Sequence, residues 1–258
     1  MLRVMKLSQV AAQLYTCRDS IQDAPGLAAT LARLRKIGYG AVQASGVGPI
    51  PSAELGRIIA EAGMVCCSTH EPANDVLESP AKVIDRMGAL RCKITAYPFP
   101  HGMDLSSRKV VDAWIVKLQH SAEALGRAGV TLCYHNHNHE FRKVDGRVIL
   151  DLIYEGAPAI RAELDTYWTQ YGGGDVLGWC RKLAGRLPVV HLKDYQTTAK
   201  NAPLWCEIGE GTLDFKAIIA AADESGCEWY AIEQDTCPGD PVESLEKSYR
   251  YVREYLVA

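Results

Sequence analysis

The segment CYHNHNHEF, residues 133–141, combines residue types that bind metals and transfer protons. It contains His135, His137, His139 and Glu140, whereas the whole chain has only seven histidines. Imidazole nitrogens and carboxylate oxygens bind divalent metals, and imidazole exchanges protons near neutral pH. The same residue types also occur in solvated loops, so the elements that position the segment must decide between these interpretations.

Eight apolar, strand-like segments alternate with amphipathic, helix-like segments along the chain. The predicted strands are residues 10–16, 40–45, 64–70, 92–98, 130–136, 160–166, 189–194 and 229–235. Apolar residues recur at steps of three or four in the helix-like segments, as in residues 111–125. Glycines mark the predicted helix ends at Gly38, Gly63, Gly88, Gly129 and Gly226. Eight strand–helix units in about 250 residues predict an α/β fold, a single (β/α)8 TIM barrel over residues 1–258, with an open doubly wound sheet as the alternative.

Polar residues collect at the predicted strand ends, while the strand starts are mostly apolar. In a barrel of this kind, the chemistry takes place at that edge. Four of these residues follow the last four strands, namely Glu140, Asp165, His191 and Glu233. Any one of them alone could be solvated or cap the next helix, but burying three carboxylates together is costly without a cation. The pattern predicts one divalent metal ion, with Mn²⁺ as first choice and Mg²⁺, Co²⁺ or Zn²⁺ as alternatives.

Several segments of the chain resemble the xylose-isomerase-like superfamily of sugar isomerases and epimerases. They are, in order, QLYTCRD, YHNHNHEF, LDTYW, GGGDV, HLKD, IGEGTLDF and AIEQD. The YHNH-x-x-EF and D-x-YW patterns are more similar to the branch of sugar phosphate isomerases/epimerases, which includes enzymes acting on 3-keto-glycosides and C-glycosides. The resemblance implies a metal held by Glu, Asp, His and Glu from the last four strands, and these match Glu140, Asp165, His191 and Glu233.

The chain departs from that resemblance at two positions. Ketose 3-epimerases of the superfamily have a histidine three residues after the aspartate, where this chain has Trp168. A simple free-ketose epimerase is therefore less expected. The fifth strand of those enzymes ends directly in the ligand glutamate, whereas this one ends in His135 and His137. His135 is accordingly the alternative to Glu140 as the fifth-strand ligand.

We predict acid/base or substrate-binding roles for the remaining polar and aromatic residues at this edge. The candidate acid/base residues are His137 first, then His70, Glu140 and Glu233. The candidate substrate contacts are Tyr15, His135, Trp168 and Lys193, while Tyr97 and Tyr167 suit the pocket wall and the core equally well. Lys193 and Glu163 each lie two residues from a proposed ligand and are expected to pair with each other.

The segment EIGEGTLDF offers a second, weaker motif. Gly209, Gly211 and Thr212 could bind a phosphate at this place in a barrel. We favour a turn that precedes a helix capped by Asp214 or Thr212. A phosphorylated substrate is therefore not predicted.

The predicted chemistry is removal of a proton next to a sugar carbonyl, which gives an enediolate and leads to isomerisation or epimerisation. With a leaving group β to the carbonyl, the same intermediate would make the protein a lyase or hydrolase of 3-keto-glycosides or C-glycosides. Two other functional classes remain as alternatives. They are an endonuclease-like phosphodiesterase, which would need more metal ligands and a basic surface, and a non-catalytic sugar-binding subunit.

The resemblance implies a small-molecule sugar or keto-sugar as the partner, and composition and charge argue against other kinds of partner. The chain is 48% hydrophobic and 23% charged, as expected for a globular domain. The net charge of −3 and the short basic pairs argue against a nucleic-acid partner. No apolar leader or long apolar run is found, so we expect no membrane contact and a cytoplasmic protein. Nine cysteines without a C-x-x-C pair argue against a disulfide framework, and a homo-oligomer stays open.

Overall fold

Eight parallel strands close into a barrel in the computed structural model, which describes residues 5–257. The barrel strands are β1 (Val10–Gln13), β2 (Ala41–Ala44), β3 (Val65–His70), β4 (Ile94–Tyr97), β5 (Thr131–His135), β8 (Arg161–Asp165), β9 (Val189–Leu192) and β12 (Trp229–Ile232). Because β1 pairs with both β2 and β12, the sheet has no open edge. The predicted (β/α)8 barrel is confirmed, and residues 1–4 and 258 of the predicted domain lie outside the described range.

Helices surround the barrel, and two small hairpins lie in loops that follow strands. The helices are α1 (Ala24–Ile37), α2 (Ser52–Glu61), α3 (Ala73–Glu78), α4 (Pro80–Leu90), α5 (Arg108–Arg127), α6 (Ile149–Gly156), α7 (Thr166–Tyr171), α8 (Val176–Lys182), α9 (Phe215–Glu224) and α10 (Pro241–Tyr255). The hairpins are β6 (Lys143–Val144) with β7 (Arg147–Val148), and β10 (Asp194–Thr197) with β11 (Pro203–Cys206). Short 3₁₀ turns cover Leu7–Gln9, Leu14–Ser20 and His139–Phe141. Within residues 5–257, every helix is too short or too polar to cross a bilayer.

Helix α5 shows how the apolar pattern of the sequence fixes the packing. Its buried residues include Val111, Ile115, Leu118 and Leu125, which share one face toward the strands. Burial of each such side chain stabilises the fold by about 1.5–3 kcal/mol. The side chain of Ser107 caps the helix by accepting a hydrogen bond from the Val110 amide. The wall of the barrel is held in place by contacts of this kind.

Two predicted boundaries differ from the structure. Strand β1 ends at Gln13 instead of residue 16, because the Gln13 side chain accepts a hydrogen bond from the Tyr15 amide at 3.1 Å and begins a 3₁₀ turn. Helix α4 continues through Gly88 to Leu90, so the prediction that Gly88 ends the helix was wrong. Arg91 adopts the left-handed conformation there, with φ 51°, while Gly129 does so after α5 as expected.

Candidate active site

Three of the four predicted metal ligands come together at the carboxyl ends of neighbouring strands. Asp165 ends β8, His191 lies in β9, and Glu233 follows β12. All three are buried, and their ligand atoms lie within 4.8 Å of one another. The Nδ1 atom of His191 is 2.8 Å from Glu233 Oε2 and 3.8 Å from Asp165 Oδ2. We call Asp165, His191 and Glu233 the outer triad.

The two carboxylate oxygens of Asp165 face different partners, one toward helix α7 and the other toward the outer triad. Its Oδ1 atom accepts a hydrogen bond from the Trp168 amide at 2.8 Å and caps α7. Its Oδ2 atom faces the triad and makes no hydrogen bond, although the Lys193 ammonium lies 3.1 Å away. Helix capping and a place in the candidate site are therefore compatible roles for this carboxylate.

The fourth predicted ligand, Glu140, lies in a different group. It is fully buried in the turn after β5, where it accepts hydrogen bonds from the Tyr134 hydroxyl and, at 2.8 Å, from the His137 amide. His139 Nε2 is 2.9 Å from the same carboxylate. Glu140 forms a ligand group with His137 and His139 but not with the outer triad. The chain folds back after the strand, and the carboxylate holds that turn.

A second ligand group, which we call the inner group, lies beside the outer triad and shares His191 with it. Its members are His70, His135, Glu163 and His191. Oε1 of Glu163 contacts His70 Nε2 closely and lies 3.0 Å from His191 Nε2 and 3.5 Å from His135 Nδ1. Gln43 donates a hydrogen bond to the other oxygen of Glu163 at 2.6 Å. His135, the predicted alternative to Glu140, is thus next to His191.

Lys193 neutralises the carboxylates around the outer triad. Its buried ammonium lies 3.1 Å from Asp165, 2.9 Å from Glu233 and 3.2 Å from Asp235. The expected pairing of Lys193 with Glu163 is therefore replaced by pairing with three other carboxylates. Asp235 was not among the predicted site residues, although its place two residues after Glu233 is the signal that it faces the same way.

The pKa value of each of these buried groups depends on the charges of its neighbours. Burial favours the neutral form of His191, but the carboxylates of Glu163 and Glu233 outweigh it and raise its pKa to about 10. Burial raises the pKa of Glu163, yet His191 and His70 lower it to about 2. Burial raises the pKa of Asp165 above its usual range, although Lys193 opposes this shift. A proton on His191 and the Lys193 ammonium compensate the carboxylates, and a metal would replace that proton, because a ligand imidazole is neutral.

The site contains buried polar atoms that suit a divalent cation. Nδ1 of His135, Nδ1 of His137 and Oδ2 of Asp165 are buried without a hydrogen-bond partner. Leaving such atoms unpaired is costly. Imidazole nitrogens and carboxylate oxygens together suit Mn²⁺, Co²⁺ or Zn²⁺, and an oxygen-rich set also accepts Mg²⁺. The residues therefore fit a divalent metal ion.

A cavity of about 640 Å³ opens above these groups. Its lining includes Tyr15 and Trp168 as predicted, together with Phe99 and Trp205, which were not among the predicted residues. Trp205 lies on the hairpin that follows β9, and an aromatic residue in a loop after a barrel strand is the signal that would have identified it. Tyr97 and Tyr167 are each 1% exposed, are absent from this lining and belong to the interior instead.

Two further predicted residues, His137 and His70, line the same cavity. Burial, assisted by the positive charge of Lys193, holds the pKa of His137 well below its usual range. Its ring lies 5.3 Å from that of Trp168, between centroids. His70 Nδ1 is 3.1 Å from the Ser45 hydroxyl. Both imidazoles are placed where they can contact a bound molecule, and His137 is neutral near pH 7.

In the loop of the EIGEGTLDF segment, backbone amides donate hydrogen bonds to the carboxylate of Asp194. Asp194 accepts hydrogen bonds from the amides of Gly209 at 3.1 Å, Gly211 at 3.0 Å and Leu213 at 3.3 Å. Asp214 caps α9 by accepting from the Ala217 amide. The amides that a phosphate would need are already occupied, which agrees with the turn favoured from the sequence.

A cavity of about 700 Å³ lies at the opposite end of the barrel. It is lined by Arg91, Lys93 and Arg161 and by none of the predicted site residues. It is slightly larger than the cavity over the outer triad, but it lies at the amino ends of the strands. Because chemistry in barrels takes place at the carboxyl ends, we assign the candidate site to the other cavity.

Comparisons with known proteins show the family of the chain. A family model described as a xylose isomerase-like TIM barrel matches residues 31–255. An inosose dehydratase of Geobacillus thermodenitrificans (strain NG80-2) is 26% identical over 162 residues, which span 55% of this chain and 54% of that protein. The match thus spans about half the length of this curated relative.

Solved structures share the fold at lower identity. A sugar phosphate isomerase/epimerase from Parabacteroides distasonis ATCC 8503 has a TM-score of 0.81 at 21% identity, covering 100% of this chain and 98% of that one. A xylose isomerase-like TIM barrel protein from Mycobacterium smegmatis in complex with magnesium has a TM-score of 0.70 at 14% identity, covering 96% of each chain. At these identities the likeness shows the fold alone.

Proposed function

The chain belongs to the xylose isomerase-like TIM barrel family, and from that premise and the geometry of the barrel mouth we propose that it is a divalent-metal-dependent sugar isomerase or epimerase. The observation that carries the proposal is the convergence of Asp165, His191 and Glu233, one of whose oxygens accepts no hydrogen bond, beneath a cavity of about 640 Å³. Cavities of this size take small molecules such as a sugar or keto-sugar.

The outer triad holds the metal in this proposal. Catalytic metal sites commonly use three protein ligands and keep further positions open. Glu140 already accepts hydrogen bonds from Tyr134 and His137, so we propose the triad without it as the minimal ligand set. Mn²⁺ stays our first choice, with Mg²⁺, Co²⁺ and Zn²⁺ as alternatives. When bound, a divalent cation stabilises negative charge that develops on a substrate oxygen as a neighbouring proton leaves.

His137 is the proposed base, because its neutral imidazole lines the cavity and has an unpaired nitrogen. It accepts a proton from the substrate carbon next to the carbonyl, a step that contributes about 10²–10⁴-fold to the rate. His70 returns a proton from the Glu163 side of the cavity, at another atom or another face of the substrate. Return to another atom gives isomerisation, and return to another face gives epimerisation.

Other predicted residues bind and orient the substrate. Trp168 and Tyr15 offer aromatic faces to a sugar ring, since both line the cavity. Lys193 also lines it, and its ammonium is directed at the carboxylates of the outer triad.

A lyase is the second candidate, and the inosose dehydratase relative favours it. After the same proton abstraction, a leaving group β to the carbonyl departs with its bonding electrons and receives a proton. His70 would supply that proton to the leaving oxygen. Substrates of this class are 3-keto-glycosides or C-glycosides, and the same metal and base would serve both reactions.

Metal analysis combined with exchange in D₂O tests the proposal. The purified protein is loaded with Mn²⁺ and incubated with free keto-sugars and with methyl 3-keto-β-glucoside, and deuterium incorporation is followed by NMR. We expect incorporation next to the carbonyl that stops when a chelator removes the metal. Exchange that continues at full rate in metal-free protein would overturn metal dependence. Sugar binding without any exchange would support a binding subunit instead.

A further inference from the structure

A chain of buried hydrogen bonds crosses the interior of the barrel and ends at His191. It begins at Gln13 in β1 and passes to Gln43 in β2, which lies directly beside it in the sheet register. From there it reaches Glu163 and His191, in β8 and β9 on the other side of the closed barrel. All four side chains are fully buried, so water does not compete for these hydrogen bonds. We call Gln13 and Gln43 the glutamine pair.

The backbone amide of Tyr15 fixes the orientation of both glutamine side chains. A backbone N–H can only donate, so the Gln13 atom that lies 3.1 Å from it is the carbonyl oxygen, Oε1. The amide nitrogen of Gln13 then donates to Gln43 Oε1 at 2.7 Å. The amide nitrogen of Gln43 is left to donate to Glu163 Oε2 at 2.6 Å. Turning either side-chain amide over would place two donors against each other, so the arrangement has one direction.

The orientation of Gln43 in turn fixes which nitrogen of His191 carries a proton. Nε2 of His191 lies 2.7 Å from Gln43 Oε1 and 3.0 Å from Glu163 Oε1. An amide oxygen and an ionised carboxylate can only accept, so the hydrogen of these contacts belongs to Nε2. The other nitrogen, Nδ1, faces Glu233 and Asp165 of the outer triad. A neutral His191 held in this way presents the lone pair of Nδ1 to the triad.

We propose that Gln13 and Gln43 are positioning residues, which hold His191 in its Nε2–H form so that Nδ1 binds the divalent cation of the outer triad. The inference rests on the proposed function, because that function supplies the cation. A histidine that binds a metal is commonly held through its second N–H, and loss of such a partner lowers metal affinity by about 10–100-fold. Because Nε2 keeps its proton, His191 is not available as a ligand to the inner group.

Nitrogen NMR of the full chain loaded with Zn²⁺ tests where the proton lies. Zn²⁺ is one of the alternative metals, and its filled d shell leaves the NMR signals of its ligands sharp. With ¹⁵N-labelled histidine, we expect the ring proton of His191 to be on Nε2 in the loaded protein. A ring proton on Nδ1 would overturn the inference.

Metal affinity of variants tests whether the glutamine pair is responsible. In Gln43→Met, Mn²⁺ affinity measured by calorimetry should fall about 10–100-fold. In the Zn²⁺-loaded form of the same variant, the signal of the Nε2 proton should move upfield, because its nearer acceptor is gone. Gln13→Met should cause a smaller fall in affinity, of about threefold to tenfold, since Gln43 keeps its other partners.

Thr95→Val is the matched control for a buried polar residue in a barrel strand. The hydrogen bonds of the Thr95 hydroxyl go to Thr69, on the neighbouring strand β3. The variant should lower the Tm but leave both the Mn²⁺ affinity and the Nε2 proton signal of His191 unchanged. An equal loss of affinity in Thr95→Val would show that general destabilisation explains the effect and would overturn the role of the glutamine pair.

The remaining outcomes separate this inference from the proposed function. Unchanged affinity and an unchanged signal in folded Gln43→Met refute the inference, and if that variant does not fold, Gln13→Met and the ring proton of the parent protein decide. Bound Zn²⁺ with the proton on Nε2, but without metal-dependent deuterium exchange, supports the inference and refutes the proposed reaction. Metal-dependent exchange with the proton on Nδ1 does the reverse. A parent protein that binds neither Zn²⁺ nor Mn²⁺ refutes both.

Discussion

At the scale of single residues, the two ring nitrogens of His191 face different partners. Its Nδ1 faces Glu233, and its Nε2 lies 2.7 Å from Gln43 Oε1 and 3.0 Å from Glu163. One nitrogen belongs to the outer triad and the other to the inner group. Replacing residues of one group at a time therefore shows which nitrogen binds the metal.

Removal of His191 should abolish metal binding whichever group holds the ion. Asp165→Ala should also lower Mn²⁺ affinity by about 100-fold or more, since loss of a ligand costs at least as much as loss of its supporting contacts. Glu140→Gln is the control, because Glu140 lies outside the outer triad. Metal content is measured by mass spectrometry after dialysis. Full occupancy in Asp165→Ala, with loss in His135→Asn, would move the metal to the inner group.

His137→Asn should keep the metal and lose deuterium incorporation by about 10²–10⁴-fold, because the proposed base is gone. His139→Asn makes the same change two residues away and should retain exchange. Incorporation is measured by NMR at matched metal content. Near-normal exchange in His137→Asn, with loss in His70→Asn or Glu233→Gln that still bind metal, would show that the base was assigned to the wrong residue.

At the scale of elements, two loops hold the site in shape through buried carboxylates. Glu140 closes the turn after β5, and Asp194 closes the loop that leads from β11 to α9. Both turns place cavity residues, namely His137 in the first case and Trp205 beside the second. Both carboxylates thus support the barrel mouth, although Glu140 was predicted as a metal ligand.

Asp194→Ala should lower the free energy of unfolding by about 2 kcal/mol or more, because several backbone amides lose their acceptor together. For a chain of this size, that corresponds to a fall in Tm of roughly 4–8 °C. Asp214→Ala removes a helix cap in the same segment and should cost only about 1 kcal/mol. Thermal unfolding by circular dichroism compares them, and equal losses would argue against closure of the loop on Asp194.

Two glycines at the end of α5 should respond to alanine in opposite ways. Gly129 has φ 75°, so Gly129→Ala forces a left-handed alanine and costs about 1–2 kcal/mol. Gly126 lies inside the helix, where alanine is favoured by up to about 1 kcal/mol. Neither position has a heavy atom within 4 Å of the added Cβ, so packing does not differ. Urea unfolding measures both changes, and a shared sign would contradict the assigned helix end.

At the scale of the whole molecule, the barrel brings residues that are far apart in sequence to one point. The outer triad joins β8, β9 and β12, and the inner group adds His70 from β3 on the other side. A cation bound there connects strands from across the barrel. Metal binding is therefore expected to stabilise the complete fold.

Adding Mn²⁺ at about 100 times its Kd should raise the free energy of unfolding by about 2.7 kcal/mol, because the unfolded chain has no assembled site. The corresponding rise in Tm is roughly 5–10 °C for a chain of this length. Differential scanning fluorimetry with and without a chelator measures it. Asp165→Ala should show no such rise, and an unchanged Tm in the parent protein would contradict a metal site that spans the barrel.

The sequence by itself determined the strand count, the barrel, and the edge at which polar residues collect, because apolar periodicity and strand-end polarity are local properties of the chain. Asp165, His191 and Glu233 follow from that edge. Only the tertiary structure decided that Glu140 turns away to bind Tyr134 and His137, since a 3₁₀ turn after β5 sets its direction. Likewise, the partners of Lys193 and Glu163 depend on side-chain reach across several strands, which strand parity alone does not specify.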